Sequence, residues 1–219
     1  MRFEVKGNPS YGEVDVDLGP NETLLIEPGA MSRMSSNLNS SFQRQGGFFS
    51  AMFRKMFGGE SFFLGKYEHP DGGKLTFAPS IPGHVEHRQL ANNSLNIMAG
   101  CFLACTPGVN IKAKFGGFKA LFSGEGAFLL EASGNGDLFF NSFGGVVEKQ
   151  INGEFIVDTG HVVAFDPSLD YSITGMGNFK STMLSGEGLV MRFRGNGKLY
   201  LQTRNVSSIA SWLTPRLLG

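Results

Sequence analysis

Three glutamate-centred blocks return along the chain at nearly constant intervals: Gly59-Glu60-Ser61, Ser123-Gly124-Glu125-Gly126 and Ser185-Gly186-Glu187-Gly188, whose glutamates lie 65 and 62 residues apart. A period of that length marks one supersecondary unit written several times, each copy burying its apolar face against the next. Each block opens an apolar run that reaches a glycine turn, Asp71-Gly72-Gly73, Gly134-Asn135-Gly136 or Gly195-Asn196-Gly197. After the turn come Lys74-Leu75-Thr76-Phe77, Asp137-Leu138-Phe139-Phe140 and Lys198-Leu199-Tyr200-Leu201. Two extended segments about a glycine turn predict a hairpin.

The repetition extends upstream. Leu18 to Leu24, Leu90 to Leu95 and Ile151 to Phe155 each set a polar turn between apolar segments, which predicts a second hairpin per copy. Gly29, Gly100 and Gly160 then open short strands, two of which end at Thr106-Pro107-Gly108-Val109 and Asp166-Pro167-Ser168-Leu169, where proline stops a ladder. A third strand pair is expected there. Phe48 to Phe57, Phe118 to Phe122 and Phe179 to Leu184 carry a Phe and a basic residue at a spacing that suits one or two helical turns, so short helices are expected between the strands.

Thirty-one glycines and 21 phenylalanines in 219 residues supply turns and bulky groups for the space between sheets, and the fold class read from them is all-β. A unit of about 60 residues buries only about 60% of its unfolded surface, so three units sharing one interior are favoured over three separate beads. The expected organisation is β repeats at 11–78, 83–143 and 144–203, then a C-terminal docking helix or tail at 204–219, all in one compact unit.

Nineteen Lys and Arg balance nineteen Asp and Glu, so nothing draws the whole chain to phosphate backbones or acidic membranes, and nucleic acid is a poor partner. No run approaches the ~18 apolar residues of a membrane helix, and Met1 to Lys6 alternates as a strand does rather than as a signal peptide. A cytoplasmic protein is expected. Cys101 and Cys105 would stand about 13 Å apart on a strand, beyond disulfide reach, and read as buried thiols.

Superposing the copies places Phe62, Ala127 and Leu189 together, then Leu64, Leu129 and Met191, as an interior face. The opposite face carries Phe63, Phe128 and Val190, and in the following strand Thr76, Phe139 and Tyr200. Strands apolar on both faces need a second covering layer, either the neighbouring repeat or another subunit of a closed ring.

Gly-Gly-Glu-Ser-Phe-Phe at Gly58 to Phe63, Ala-Pro-Ser-Ile-Pro-Gly at Ala78 to Gly83 and the Ser-Gly-Glu-Gly copies resemble the altered-inheritance-of-mitochondria family, widespread in bacteria and archaea. The resemblance runs from about Tyr11 to Thr203. It implies three tandem repeats of a short double-stranded β-helix, similar to the tryptophan RNA-binding attenuation protein, with trimers closing into a nine-unit ring. Mitochondrial members are linked to inner-membrane organisation, but an Arg/Ser-rich transit segment is lacking here.

No residues line up as catalytic, metal-binding or cofactor-binding. His84-Val85-Glu86-His87 overlays a strand in the third copy, where residues three apart face opposite ways, so a solvated edge is expected rather than a metal site. His69 and His161 stand alone, and a metal half-site at Cys101 and Cys105 lacks further ligands. Gly175 to Ser181 places Phe179 where a phosphate loop needs glycine. Ser123 and Ser185 precede Gly-Glu-Gly as structural turns, and Glu60, Glu125 and Glu187 either converge on an axis or cap backbone N–H groups.

Phe49, Met52, Phe53 and Met56 recur at helical spacing as an amphipathic stub that docks on its own sheet, meets a membrane surface or fills a partner groove. The tail from Asn205 opens with a cap signal and sets Ile209, Trp212 and Leu213 on one side, to pack on its own sheet or between subunits. The function expected is a non-enzymatic, ring-forming scaffold or binding module without cofactor, whose partners are its own copies, an unknown protein or a small ligand. A single-stranded RNA-binding ring is the alternative by fold analogy, with Lys74 and Lys198 aligned but Asp137 breaking the basic track. A peripheral membrane organiser acting through Phe48 to Phe57 is the other.

Overall fold

Valines 14 and 16 and Leu18 are buried while Glu13, Asp15 and Asp17 point outward, the period-two pattern of a strand with one wet face, and such strands make up most of the chain. The computed structural model describes residues 1–44, 63–114, 129–175 and 189–217. Its strands are β1 (Arg2–Lys6), β2 (Glu13–Leu18), β3 (Thr23–Ile26), β4 (Met31–Met34), β5 (Asn39–Arg44), β6 (Phe63–Glu68), β7 (Gly73–Phe77), β8 (Val85–Met98), β9 (Phe102–Cys105), β10 (Val109–Lys114), β11 (Leu129–Asn141), β12 (Val146–Asp158), β13 (Val162–Phe165), β14 (Leu169–Gly175) and β15 (Leu189–Gln202). One helix, α1 (Val206–Leu217), follows. The all-β class stands.

β8 to β11 and β12 to β15 carry the same pairings in the same order. The long first strand pairs antiparallel with the long last strand, and the two short strands between them pair with that last strand at successive stretches. In the first stretch of the chain the long strands are broken: β2 pairs with β7 and β3 with β6, separated by the turns around Asn21 and Gly72. Where β4 meets β7, Arg33 stands opposite Thr76; where β9 meets β11, Ala104 stands opposite Phe139; and where β13 meets β15, Ala164 stands opposite Tyr200.

This corrects the expected hairpins. β11 runs unbroken through Gly134-Asn135-Gly136 and β15 through Gly195-Asn196-Gly197, while β8 and β12 run through Leu90 to Leu95 and Ile151 to Phe155. Each pair of predicted hairpins is therefore one long two-stranded ladder, except at the chain's start. In the β8–β11 ladder the reason lies across the strands: Asn92, with φ +56, takes up a one-residue register shift, and its side-chain oxygen accepts from Asn135 Nδ2 at 2.6 Å while Asn135 Oδ1 accepts from Asn92 N at 2.8 Å. β9 and β10 likewise pair with β11 and not with each other. The short helices expected at Phe48 to Phe57, Phe118 to Phe122 and Phe179 to Leu184 lie outside the described residues.

Burial follows the superposed faces. Leu64, Leu129, Met191, Val190, Thr76, Phe139 and Tyr200 are buried and Phe63 is exposed, but one placement is corrected: Leu129 stands opposite Lys114 as Val190 stands opposite Thr174, so Leu129 shares Val190's face and Leu130 is the counterpart of Met191. The covering comes from within the chain: Phe139 packs edge-on against Phe3 and Phe77, and Tyr200 against Phe140. Phe62, Ala127 and Phe128 lie outside the described residues.

Candidate functional site

Two seams join consecutive stretches of the chain, and both are made alike. At the first, Leu25 and Ile26 of β3 stand opposite Cys105 and Ala104 of β9; at the second, Asn96 and Ile97 of β8 stand opposite Phe165 and Ala164 of β13. All eight residues are buried. At the chain's two ends the corresponding edges have no further strand beside them among the described residues: β12 pairs with β15, and β4 with β7. There Ile156 is 44% and Met34 38% exposed, whereas their counterparts Leu25, Cys105 and Phe165 show no surface.

Beside the free edge of β4, a cleft of about 600 Å³ crosses the outer face of β1, β2, β7 and β4, with Phe3 and Met34 at its walls. Asp15 is its hub, accepting from Lys6 Nζ at 2.7 Å, Thr76 Oγ1 at 2.5 Å and Arg33 Nη2 at 3.0 Å. The hydrogen bonds from Lys6 and Thr76 hold the Asp15 carboxyl down to about 2. Arg33 also grips Glu13 through two nitrogens at 2.9 and 2.8 Å, which lowers that carboxyl as well. Asp15, Glu13, Lys6 and Arg33 are thus paired with one another, while Arg2, Asp17 and Lys74 also line the cleft.

The residues singled out in the sequence do not converge. His84 Nε2 lies 3.1 Å from Glu86 and 3.4 Å from Asn8 Nδ2, while His87 turns to Asp137 at 2.8 Å and to the ring of Phe3. His69 sits in a turn with Asn37 and Asp71, and His161 Nδ1 reaches Gln202 O at 2.8 Å. Among the described residues no three potential metal ligands cluster. Cys101 lies in a 3-10 turn rather than on a strand; it and Cys105 at the end of β9 are buried, unpaired thiols that burial pushes up to about 12, beyond use as nucleophiles at neutral pH.

Lys198 is spent on Glu148 at 2.7 Å and Asp137 on His87, which leaves the exposed Lys74 as a broken remnant of a basic track. Glu60, Glu125, Glu187, Ser123, Ser185, residues 176–181 and the stub at Phe48 to Phe57 lie outside the described residues. α1 forms as the cap signal predicts, with Asn205 Oδ1 accepting from Ser207 N at 2.9 Å, but no residue of it is buried. No helix among the described residues is long and apolar enough to cross a membrane.

Sequence reasoning missed the two open edges. Their signal was present in the contrast between Phe102-Leu103-Ala104-Cys105 or Val162-Val163-Ala164-Phe165, wholly apolar, and Met31-Ser32-Arg33-Met34 in the corresponding strand, which is not.

The chain is 31% identical to an uncharacterized protein of Streptococcus pyogenes serotype M6, over 97% of its own length and 90% of the relative's. It superposes on a crystal structure of a Streptococcus pyogenes protein with a TM-score of 0.82 at 29% identity, covering 98% of this chain and 99% of that one. The family described as Mitochondrial biogenesis AIM24 matches residues 3–204, and by that match over nearly its whole length the chain belongs to the AIM24 family.

Proposed function

We propose that the chain is a non-enzymatic assembly module: three tandem double-stranded β-helix repeats, at 11–78, 83–143 and 144–203, that close head to tail into a homotrimeric, cytoplasmic ring serving as a scaffold or binding platform. One observation carries the reading. Among the described residues, the seam made twice within the chain leaves one unmatched half at each end, β12 at Ile156 and Val157 and β4 at Arg33 and Met34, with Ile156 and Met34 exposed where the internal seams bury their residues. A second copy's β4 laid on β12 repeats the contact, and a heterologous contact repeated by rotation closes or grows. The family resemblance supports closure at three copies. The broken basic track, with Lys198 held by Glu148 and Asp137 in the second copy, favours a protein partner over nucleic acid.

Native mass spectrometry tests it. Wild type gives a trimer, and Ile156→Lys and Met34→Lys each give monomers, because each puts a charge into one half of the seam. Mixed together, the two variants form a dimer and nothing larger, since one copy keeps a sound β4 and the other a sound β12. Monomeric wild type, or variants that assemble unchanged, overturns the reading.

A further inference from the structure

The backbone carries a stack of four segments, joined at three crossings, at the places where each stretch begins. Gly12 N donates to Gly83 O at 2.8 Å before β2 and β8; His84 N donates to Gly144 O at 2.9 Å and Gly144 N to Pro82 O at 3.0 Å before β8 and β12. Thr203 N then donates to Gly145 O at 3.0 Å and Arg204 N to Phe143 O at 3.3 Å, just before α1. The helix therefore starts where a further repeat would start, and its root is fixed. Asn205 Nδ2 donates to Asp158 Oδ1 at 3.4 Å, and a Cβ on Gly160 would stand 2.1 Å from that same nitrogen, so a larger residue there would turn the Asn205 side chain aside. Asp158 is the last residue of β12, two residues beyond the exposed Ile156.

Beyond that root no residue of α1 is buried against the described residues. Val206, Ile209, Leu213 and Leu217 fall on one stripe at helical spacing with Trp212 beside it, and all are exposed, Trp212 at 58%. The stripe contains no acidic residue, and Arg216 lies over the Trp212 ring at 4.2 Å. A helix of twelve residues with an open apolar face is marginal by itself in water. Each internal seam is a ladder of only two residue pairs, sufficient because the chain runs on and keeps its neighbours at high effective concentration. Between separate copies that linkage is missing, and α1 stands in its place.

We infer that α1 is a clasp for a second copy of this chain, leaving the end of β12 and laying the stripe of Ile209, Trp212 and Leu213 on the copy whose β4 docks there. The inference rests on the ring reading but adds to it, since edge pairing alone could close a ring with its helices free.

Trp212 is the single tryptophan of the chain, so its emission reports on this helix alone. In the full-length assembly, confirmed by native mass, Trp212 emission is expected to be blue-shifted and acrylamide quenching several-fold weaker than in the Ile156→Lys monomer. Met34→Lys serves as the monomer reference where Ile156→Lys fails to fold. Ile209→Ser with Leu213→Ser is expected to raise the concentration at which the assembly half-dissociates at least tenfold. An intact assembly whose Trp212 is as open to acrylamide as the monomer's overturns the clasp and leaves the ring standing. Shielded Trp212 in the blocked monomer places the helix on its own sheet and also overturns it. Phosphatidylglycerol vesicles that shield Trp212 in the blocked monomer assign the stripe to a lipid surface instead, and absence of assembly in wild type removes clasp and ring together.

Discussion

Ile97 of β8 stands opposite Ala164 of β13, and neither exposes any surface. The seam between the second and third stretches is therefore part of the core. Ile97→Ala should cost about 2–4 kcal/mol in urea unfolding, through lost transfer energy and the cavity left behind. The neighbouring position at the outer edge behaves differently: Ile156→Ala, removing a side chain already 44% exposed, should cost under ~1 kcal/mol in the dilute monomer and show instead as weaker association. Equal losses at both positions in the monomer would mean that β12 is finished as it stands.

Much of this architecture was legible because apolar periodicity is a local signal that burial enforces. Leu64, Leu129, Met191, Thr76, Phe139 and Tyr200 are all buried, as their apolar pattern suggests, but one slip of register put Leu129 beside Met191, whereas it shares a face of β11 with Phe139 and stands where Val190 stands in β15. The hairpins were misread because Gly134-Asn135-Gly136 has the composition of a tight turn, and the same glycines, at φ +121 and +147, also serve a long strand crossing close to other backbone. What decides between them is Asn92, 43 residues away, whose side chain exchanges hydrogen bonds with Asn135. Local composition carries no trace of that partner. The open edges needed a comparison of corresponding strands, since Met31 to Met34 looks unremarkable until set beside two strands that are buried throughout.

Gly83 and Gly144 meet in a parallel bridge at the crossing stack. A Cβ at Gly83 would stand 1.8 Å from Ser142 O and 2.9 Å from Gly144 N, both backbone atoms with no rotamer to escape into. Gly83→Ala should therefore force the stack apart and cost on the order of 3 kcal/mol or more, or abolish soluble expression. Gly100→Ala is the control, with nothing within 4 Å of its Cβ. It should leave the thermal midpoint unchanged or slightly raised, because alanine restricts the unfolded chain. A Gly83→Ala protein melting with wild type would show that the crossings tolerate separation.

Arg88 Nη1 donates to the hydroxyl of Tyr200 across 112 residues, and its other nitrogen reaches Asp166 Oδ1 at 3.5 Å. Tyr200→Phe keeps the edge-on packing against Phe140 and removes only the acceptor. The half-buried guanidinium is then short of one partner, which should cost about 1 kcal/mol. Thermal unfolding checks it, and a loss several times larger would place the hydroxyl in a wider network.

Two carboxyls give stability opposite slopes against pH. Burial raises the Glu27 carboxyl, which follows β3 and has no side-chain hydrogen bond among the described residues, from an ordinary 4.5 to about 7. The folded chain thus binds the Glu27 proton more tightly than the unfolded chain, so this contribution is complete below about 4.5 and is lost as pH rises through about 7. Asp15, lowered from 3.8 to about 2 by Lys6 and Thr76, works the other way: its contribution is present above 3.8 and fades as pH falls toward 2. Urea midpoints across pH 3 to 8 should therefore fall on both sides of a maximum between the two windows. Glu27→Gln should lift the neutral limb by on the order of 1 kcal/mol at pH 8 and leave the acid limb alone, because the amide carries no charge to bury. Asp15→Asn should flatten the acid limb instead and lower the plateau, having lost the pairing with Lys6. If Glu27→Gln moves the midpoint equally at pH 4 and pH 8, the carboxyl ionises freely in the folded chain and the site is open to water.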